Sequence, residues 1–152
     1  RKGTAMDNRF ETFTVLINRI SRNIRKIKNR EMADLGLRSA HVSCLYYLSM
    51  TDGLTATDLC EKCEEDKATI SRAVDFLETE GYLTCHTKAA KRYKSPLQLT
   101  PKGKSAGERI ADRIDGVLEA VGLDEEDLQG FYRDLRAISD RLEKLAGRKE
   151  GI

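Results

Sequence analysis

Tryptophan is absent from this 152-residue chain, and aromatic residues make up only 6% of it. Successive stacking of bases on aromatic rings therefore has few platforms, and binding of single-stranded nucleic acid is less well supplied than binding of a duplex. No apolar run approaches the roughly 20 residues needed to cross a bilayer, so a membrane-inserted chain is excluded. There is no nucleophile motif, no phosphate-binding glycine loop and no pair of histidines at metal spacing, so catalysis finds no support and neither a metal nor a cofactor is expected. Prolines number two, Pro96 and Pro101. With no low-complexity linker and no internal repeat, one folded unit over residues 1–152 is expected. Nothing at the N-terminus reads as a signal peptide, and the four cysteines, Cys44, Cys60, Cys63 and Cys85, sit inside apolar patterns; a reducing cytoplasm is the expected setting.

The net charge of +2 says little, but its distribution says more. Lys88, Lys91, Arg92, Lys94, Lys102 and Lys104 form a run without an acid, whereas Asp115, Glu119, Asp124, Glu125, Glu126 and Asp127 form an acidic block. One face is suited to a polyanion and another is turned away from it.

The stretch from Asp66 to Gly81 is punctuated at both ends, with Asp66 as an N-cap and Gly81 where a helix end wants positive φ. Ile70, Ala73, Val74 and Leu77 recur at spacings of three and four and form a buried stripe. Lys67, Ala68, Thr69, Ser71 and Arg72 are left outside it near the N-terminal end. No acid stands among them, and their side chains supply the phosphate and base-edge donors that a helix in a major groove presents.

Before this helix, Asp7 to about Glu31 carries Phe10, Phe13, Ile17, Ile20, Ile24 and Ile27 at alternating spacings of three and four, a helix of about 35 Å that needs another apolar surface. Its basic residues, such as Arg22 and Lys26, read as a solvated flank. Ser39 to Met50, with Ser39 as N-cap, is a second helix, and TATDLCEKC from Thr55, with Asp58 completing an approximate capping box, is a short third one whose inner face is Leu59, Cys60 and Cys63. The third helix, a turn at Glu64 and Glu65, and the Asp66 helix have the length of a helix-turn-helix. After Gly81, Tyr82 to Thr87 and Leu97 to Leu99 favour strands around a basic tip, which makes a wing. Thr100 then caps a helix with Pro101 in its first position, running to Gly122; Asp124 caps a last one, in which Leu128, Phe131, Leu135, Ile138, Leu142 and Leu145 repeat the three-and-four spacing up to Gly147. Apolar seams at both ends of the chain point to a homodimer built through Phe10, Phe13, Ile17, Leu128, Leu135, Ile138 and Leu142. The fold class expected is mainly α with a small β-wing: a winged helix-turn-helix region over 39–103 and dimerisation helices over 7–31 and 104–147.

LTATDLCEKC, DKATISRAVDFLETEGYL and LQLTPKG, from about Leu54 to Gly103, together resemble the MarR family of winged-helix transcriptional regulators. The resemblance implies a homodimer with interleaved terminal helices, double-stranded DNA with a pseudo-palindromic operator as partner, and a small-molecule or redox signal that weakens binding. It matches Lys67, Thr69, Ser71 and Arg72 to the family's major-groove positions and puts the wing arginine near Arg92, with Lys88, Lys91 and Lys94 beside it. Family wings commonly hold an aspartate and, two residues on, an arginine; here Lys91 and Tyr93 stand at those places. The Glu64 and Glu65 pair likewise departs from the usual glycine-plus-apolar turn. His41, Tyr46 and Tyr47 fall near where the family's effector pockets are lined.

Two other readings stand beside the repressor released by a ligand. Cys60 and Cys63 have the offset of zinc or redox motifs, and Cys85 with His86 could add ligands, so a metal- or thiol-responsive regulator is one alternative to simple core packing. The other is a winged helix used only to bind protein, with the basic hairpin solvated.

Overall fold

The computed structural model describes residues 8–85, 94–122 and 124–147. Its elements run α1 (Arg9–Glu31), a 3-10 turn (Ala33–Leu35), α2 (Ser39–Met50), α3 (Ala56–Cys63), α4 (Lys67–Thr79), β1 (Leu83–Cys85), β2 (Leu97–Leu99), α5 (Pro101–Val121) and α6 (Glu125–Ala146). Helices dominate and one small antiparallel sheet accompanies them, as the residue patterns predict. The chain divides into two compact units, 1–113 and 114–152.

In the first unit the core is drawn from every element between the end of α1 and the first turns of α5. Val42, Cys44, Leu45 and Leu48 come from α2, Leu59 from α3, Leu83 and Leu97 from the strands, and Ala106 and Ile110 from α5. Ile70, Ala73, Val74 and Leu77 of α4 are all buried, so the stripe read from the sequence is the one the fold uses. Burying Ile70, Val74 and Leu77 contributes about 5–9 kcal/mol before entropy is subtracted, more than local capping can supply. Packing therefore fixes how α4 sits, while the caps fix where it starts. Met32 and Leu37, which flank the 3-10 turn, are buried as well, although no periodic pattern marks them.

The helix starts follow local chemistry, with one correction. Asp66 accepts from the Thr69 N–H at 2.7 Å. In the capping box of α3, Thr55 N–H donates to Asp58 at 2.9 Å and Asp58 N–H donates to Thr55 Oγ1 at 3.2 Å. Ser39, expected as the N-cap of α2, is instead its first helical residue, and the extended cap residue is Arg38. The Ser39 N–H donates to Asn29 Oδ1 of α1 at 2.7 Å, and the Arg38 N–H to His41 Nδ1 at 3.0 Å. An acceptor ten residues away thus does the capping that Ser39 was expected to do.

Between α3 and α4 the turn keeps a left-handed residue although no glycine is present: Glu64 has φ 53° and ψ 43°. For a residue with a Cβ this costs about 1–2 kcal/mol, which the buried contacts of the flanking helices offset.

Beyond α4, Gly81 takes the positive φ its position demands, +81°. β1 pairs with β2 in the register Leu83 to Leu99, Thr84 to Gln98 and Cys85 to Leu97. Leu97 N–H also donates to the Leu54 carbonyl at 2.9 Å, which ties the hairpin base to the segment after α2. The first strand starts at Leu83, one residue after the predicted Tyr82, and His86 and Thr87 lie outside the described residues. At the start of α5, Thr100 Oγ1 accepts from the Gly103 N–H at 3.1 Å and donates to the Gly81 carbonyl at 2.6 Å. A Cβ on Gly103 would overlap the Tyr82 carbonyl oxygen, and one on Gly107 would stand 2.6 Å from Ser49 Cβ.

The long first helix has no buried residue, and Phe10, Ile17, Ile20 and Ile24 are exposed, Phe10 by 66%. Its C-terminal end is clamped by Arg113, which donates to the Glu31 carbonyl and to Asp34 Oδ1 at 3.2 Å. In the second unit, Asp124 accepts from the Asp127 N–H at 2.8 Å to start α6, which ends before Gly147 as the sequence predicts. No residue of α6 is buried. Phe131, Ile138 and Leu142 are exposed, and Leu128, Leu135 and Leu145 are half-buried. No helix among the described residues is long and apolar enough to cross a membrane.

Gly103→Ala is expected to cost about 3 kcal/mol, since the new methyl group meets a backbone oxygen that cannot rotate away. Gly116→Ala, in the same helix with nothing within 4 Å of the added carbon, is expected instead to stabilise by about 0.5–1 kcal/mol. Urea unfolding of both variants checks the pair, and similar midpoints would refute the close approach.

Candidate nucleic-acid interface

The outward surface of α4 follows from its buried one. Once positions 70, 73, 74 and 77 face the core, positions 67, 68, 71 and 72 share the opposite side. Lys67, Ala68, Ser71 and Arg72 are all exposed and Thr69 is half-buried. Arg72 Nη2 donates to Thr69 Oγ1 at 3.4 Å, a long bond on a residue that is otherwise exposed. Amides of the first turn add the positive end of the helix dipole to the two cations. An exposed, acid-free surface of this kind can meet phosphates through Lys67 and the helix end, and a base edge through Arg72.

The cap residues hold this surface in place and carry a charge of their own. The Asp66 carboxyl lies below the usual carboxylate range, chiefly because it accepts from the Thr69 N–H, with Arg72 adding a smaller attraction. Asp58, at the start of the supporting helix, is lowered in the same way by the Thr55 N–H and hydroxyl.

The other end of α4 is held by side chains that the sequence pattern treats as part of a basic run. Lys102 Nζ donates to the Glu80 carbonyl at 2.7 Å and stands 4.3 Å from the centre of the Tyr82 ring. It therefore closes the C-terminal end of α4. A lysine two residues after the helix-capping threonine in LTPKG was the available signal, but local spacing does not show that α5 begins beside the end of α4.

Of the wing cations, Lys94 is exposed at the foot of β2. Lys88, Lys91 and Arg92 lie outside the described residues, as does the tip that would carry them.

The residues expected near an effector are half-buried on α2 and are engaged in packing. His41 stacks on Phe76 of α4 with ring centres 4.2 Å apart and planes 13° from parallel. Burial, and then the nearby Arg38, push its pKa down, in keeping with a ring nitrogen that accepts from the Arg38 amide. Tyr46 and Tyr47 meet edge to face at 5.5 Å, and Lys62 approaches the Tyr47 ring at 5.8 Å. A separate open groove of about 660 Å³ lies between the end of α2, β2 and the start of α5, lined by Ser49, Asp52, Pro96, Lys104 and Glu108 among others. His41, Tyr46 and Tyr47 do not line it. Cys60, Cys63 and Cys85 are half-buried, and among the described residues no group of three or more His, Cys, Asp or Glu is placed to hold a metal ion.

Comparison with known proteins bears on this geometry. A sequence model of the MarR family matches residues 35–92. The HTH-type transcriptional regulator MntR of Lysinibacillus sphaericus (strain C3-41) is 28% identical over 106 residues, covering 67% of this chain and 70% of that protein. Among solved structures, a transcriptional regulator of the MarR family from Silicibacter pomeroyi is 25% identical with a TM-score of 0.75 and covers 99% of this chain and 100% of its own. The Staphylococcus aureus MepR–DNA complex contains a chain with a TM-score of 0.74 at 19% identity, covering 86% of this chain and 97% of that one.

Because Asp58 and Asp66 are lowered in the folded state, the stability they confer is present above the unfolded carboxyl value of roughly 3.9 and is lost as pH falls through their folded values. Urea midpoints should therefore drop between roughly pH 5 and pH 2. The double variant Asp58→Asn with Asp66→Asn, which keeps cap acceptors without the titrating group, should drop less steeply; identical slopes would remove these carboxylates as the cause.

Proposed function

We propose that this chain, which belongs to the MarR family of winged-helix transcriptional regulators, is a homodimer that binds double-stranded DNA at a pseudo-palindromic operator and is released from it by a small-molecule effector. Members of that family regulate transcription and are not enzymes. The observation that carries the DNA reading is the exposed, acid-free surface of Lys67, Ala68, Ser71 and Arg72 on a helix whose other side is wholly buried. A core-anchored helix can enter a groove without unfolding, and these side chains are suited to what it meets there.

In this reading Lys67 and the first-turn amides hold phosphate, Thr69, Ser71 and Arg72 read the groove, and Lys88, Lys91, Arg92 and Lys94 of the wing bind the neighbouring backbone or minor groove. Two copies are needed for a palindrome, and the seams of α1 and α6 supply the means. Phe10, Ile17, Ile138 and Leu142 are exposed along helices that bury nothing of their own. Such long apolar stripes are covered in a stable protein, and Phe13, Leu128 and Leu135 continue them. The two α4 helices of the dimer should then lie about 34 Å apart, one turn of duplex. His41, Tyr46 and Tyr47 are the side chains proposed to feel an effector, because the His41 ring rests directly on Phe76 of α4.

Selection of bound duplexes from a random pool tests binding and half-site spacing together, and recovery of no preferred sequence would defeat the reading. Arg72→Ala should cost about 1–3 kcal/mol in affinity for the selected duplex. An anisotropy titration with unchanged affinity would remove Arg72 from the site. Changing Lys91 or Arg92 should flatten the dependence of log affinity on log salt by about one unit per lost phosphate contact. An unaltered slope in both variants would sink the role given to the wing.

A further inference from the structure

Helix α1 buries no residue, yet its last turn is fastened to both α2 and α5. Lys28 Nζ donates to Ser43 Oγ of α2 at 3.0 Å, Asn29 Oδ1 accepts from the Ser39 N–H at 2.7 Å, and the Glu31 carbonyl accepts from Arg113 of α5. The last of these differs from the others, because one guanidinium serves more than one element. Arg113 Nη1, besides taking the α1 carbonyl, approaches Met32 Sδ at 3.5 Å and donates to Asp34 Oδ1 at 3.2 Å, while Nη2 donates to Asp34 Oδ2 at 3.3 Å. Asp34 is thus gripped by both prongs of the fork. Arg109, one helical turn earlier on α5, adds an ion pair with Asp34 Oδ2 at 3.5 Å.

The 3-10 turn that carries Asp34 is anchored in its own right, with Met32 and Leu37 buried on either side of it. A cation at the carbonyl end of α1 also meets the negative end of that helix's dipole. The direction in which α1 leaves the first unit is therefore set where α1, the 3-10 turn and α5 meet, and Arg113 is a side chain that touches the first two from the third. From Lys28 back to Phe10 the helix runs about 27 Å, so a tilt of about 5° at its last turn carries Phe10 through roughly 2 Å. A small change at this pivot becomes a large one along the apolar seam.

We propose that Arg113 is the positioning residue that sets how far apart the two α4 helices of the dimer stand, and so which spacing of half-sites the protein accepts. The inference rests on the dimer and DNA-binding readings above. Helix α4 and the last turn of α1 belong to the same compact unit, so the angle of α1 to that unit fixes the angle of α4 to the seam. A duplex lengthened by one base pair between its half-sites turns the second of them by about 35° and moves it by about 3.4 Å. A rigid pivot rejects that duplex, whereas a loosened one follows part of the displacement. Arg113 does not itself meet the DNA; it acts through α1, and its loss relaxes the choice of spacing while the reading of each half-site is kept.

The test uses the full-length protein, Arg113→Met and Asp34→Asn with the duplex selected by the unaltered protein, the same duplex with one base pair inserted between its half-sites, and a single half-site. Sedimentation reports the dimer and anisotropy titration the affinities. The preference of the unaltered protein for the selected spacing over the lengthened one should fall by roughly fivefold or more in both variants. Affinity for the single half-site should stay within about twofold, because its phosphate and base contacts are unchanged. A partly unfolded variant binds every duplex less well and leaves the ratio where it was, so the ratio separates positioning from stability. Asp34 is exposed, and Asp34→Asn decides if Arg113→Met does not fold. An unchanged ratio in the folded variants would overturn the pivot and leave the dimer and DNA-binding readings standing. A variant that sediments as a monomer would place these residues in assembly rather than in its geometry and overturn the proposal. Unaltered protein that is a monomer, or that selects no paired half-sites, would defeat those readings and the proposal with them.

Discussion

The approach of α5 to the Tyr82 carbonyl is the constraint on which the placement of α4 and the hairpin depends. Gly103 has no Cβ, so the first turn of α5 reaches the backbone just after α4. There Thr100 takes the Gly81 carbonyl and Lys102 takes the Glu80 carbonyl. These contacts close the end of α4, set the start of β1 and fix where the chain leaves the hairpin. Without that approach, the C-terminal end of α4 would be held only by its buried stripe and the His41–Phe76 stack, and a stripe fixes rotation about a helix axis better than position along it. LTPKG is thus more than a restart signal. Each of its last four residues acts: the threonine bridges two carbonyls and an amide, the proline opens the helix, the lysine closes the preceding one, and the glycine makes room.

Helix α4 and its supports were legible because their signals are local. Ile70, Ala73, Val74 and Leu77 repeat at the helical period, and Asp66, Thr55 and Asp58 satisfy amides within three residues. Wherever the partner is distant, the sequence was read less well. The start of α2 depends on Asn29, a residue of another helix, and so Arg38 rather than Ser39 became the cap. Met32 and Leu37 are buried around a 3-10 turn too short to show a period. Periodicity tells which side of a helix is inward and says nothing of which helix it meets.

The surface of α4 and the seams of α1 and α6 are related by one physical rule. A side chain that does not serve the core of its own chain is available for something else. On the N-terminal half of α4 the available side chains are cationic and polar, suited to a polyanion; on α1 and α6 they are isoleucine, leucine and phenylalanine, suited to another apolar surface. The first unit keeps its own core without the N-terminal two-thirds of α1, so its fold and any assembly through that helix draw on different residues.

The glutamate at the turn shows how authority over that turn is distributed. Glu64 occupies a left-handed conformation that glycine would take freely. The chain accepts this because α2, α3 and α4 dictate the path between them, and the connecting residues comply. A turn governed from outside is released from the usual compositional demands, and its two side chains are free to drift. In this protein the turn places two negative charges just before the start of α4, where they can be exchanged without redesigning the fold.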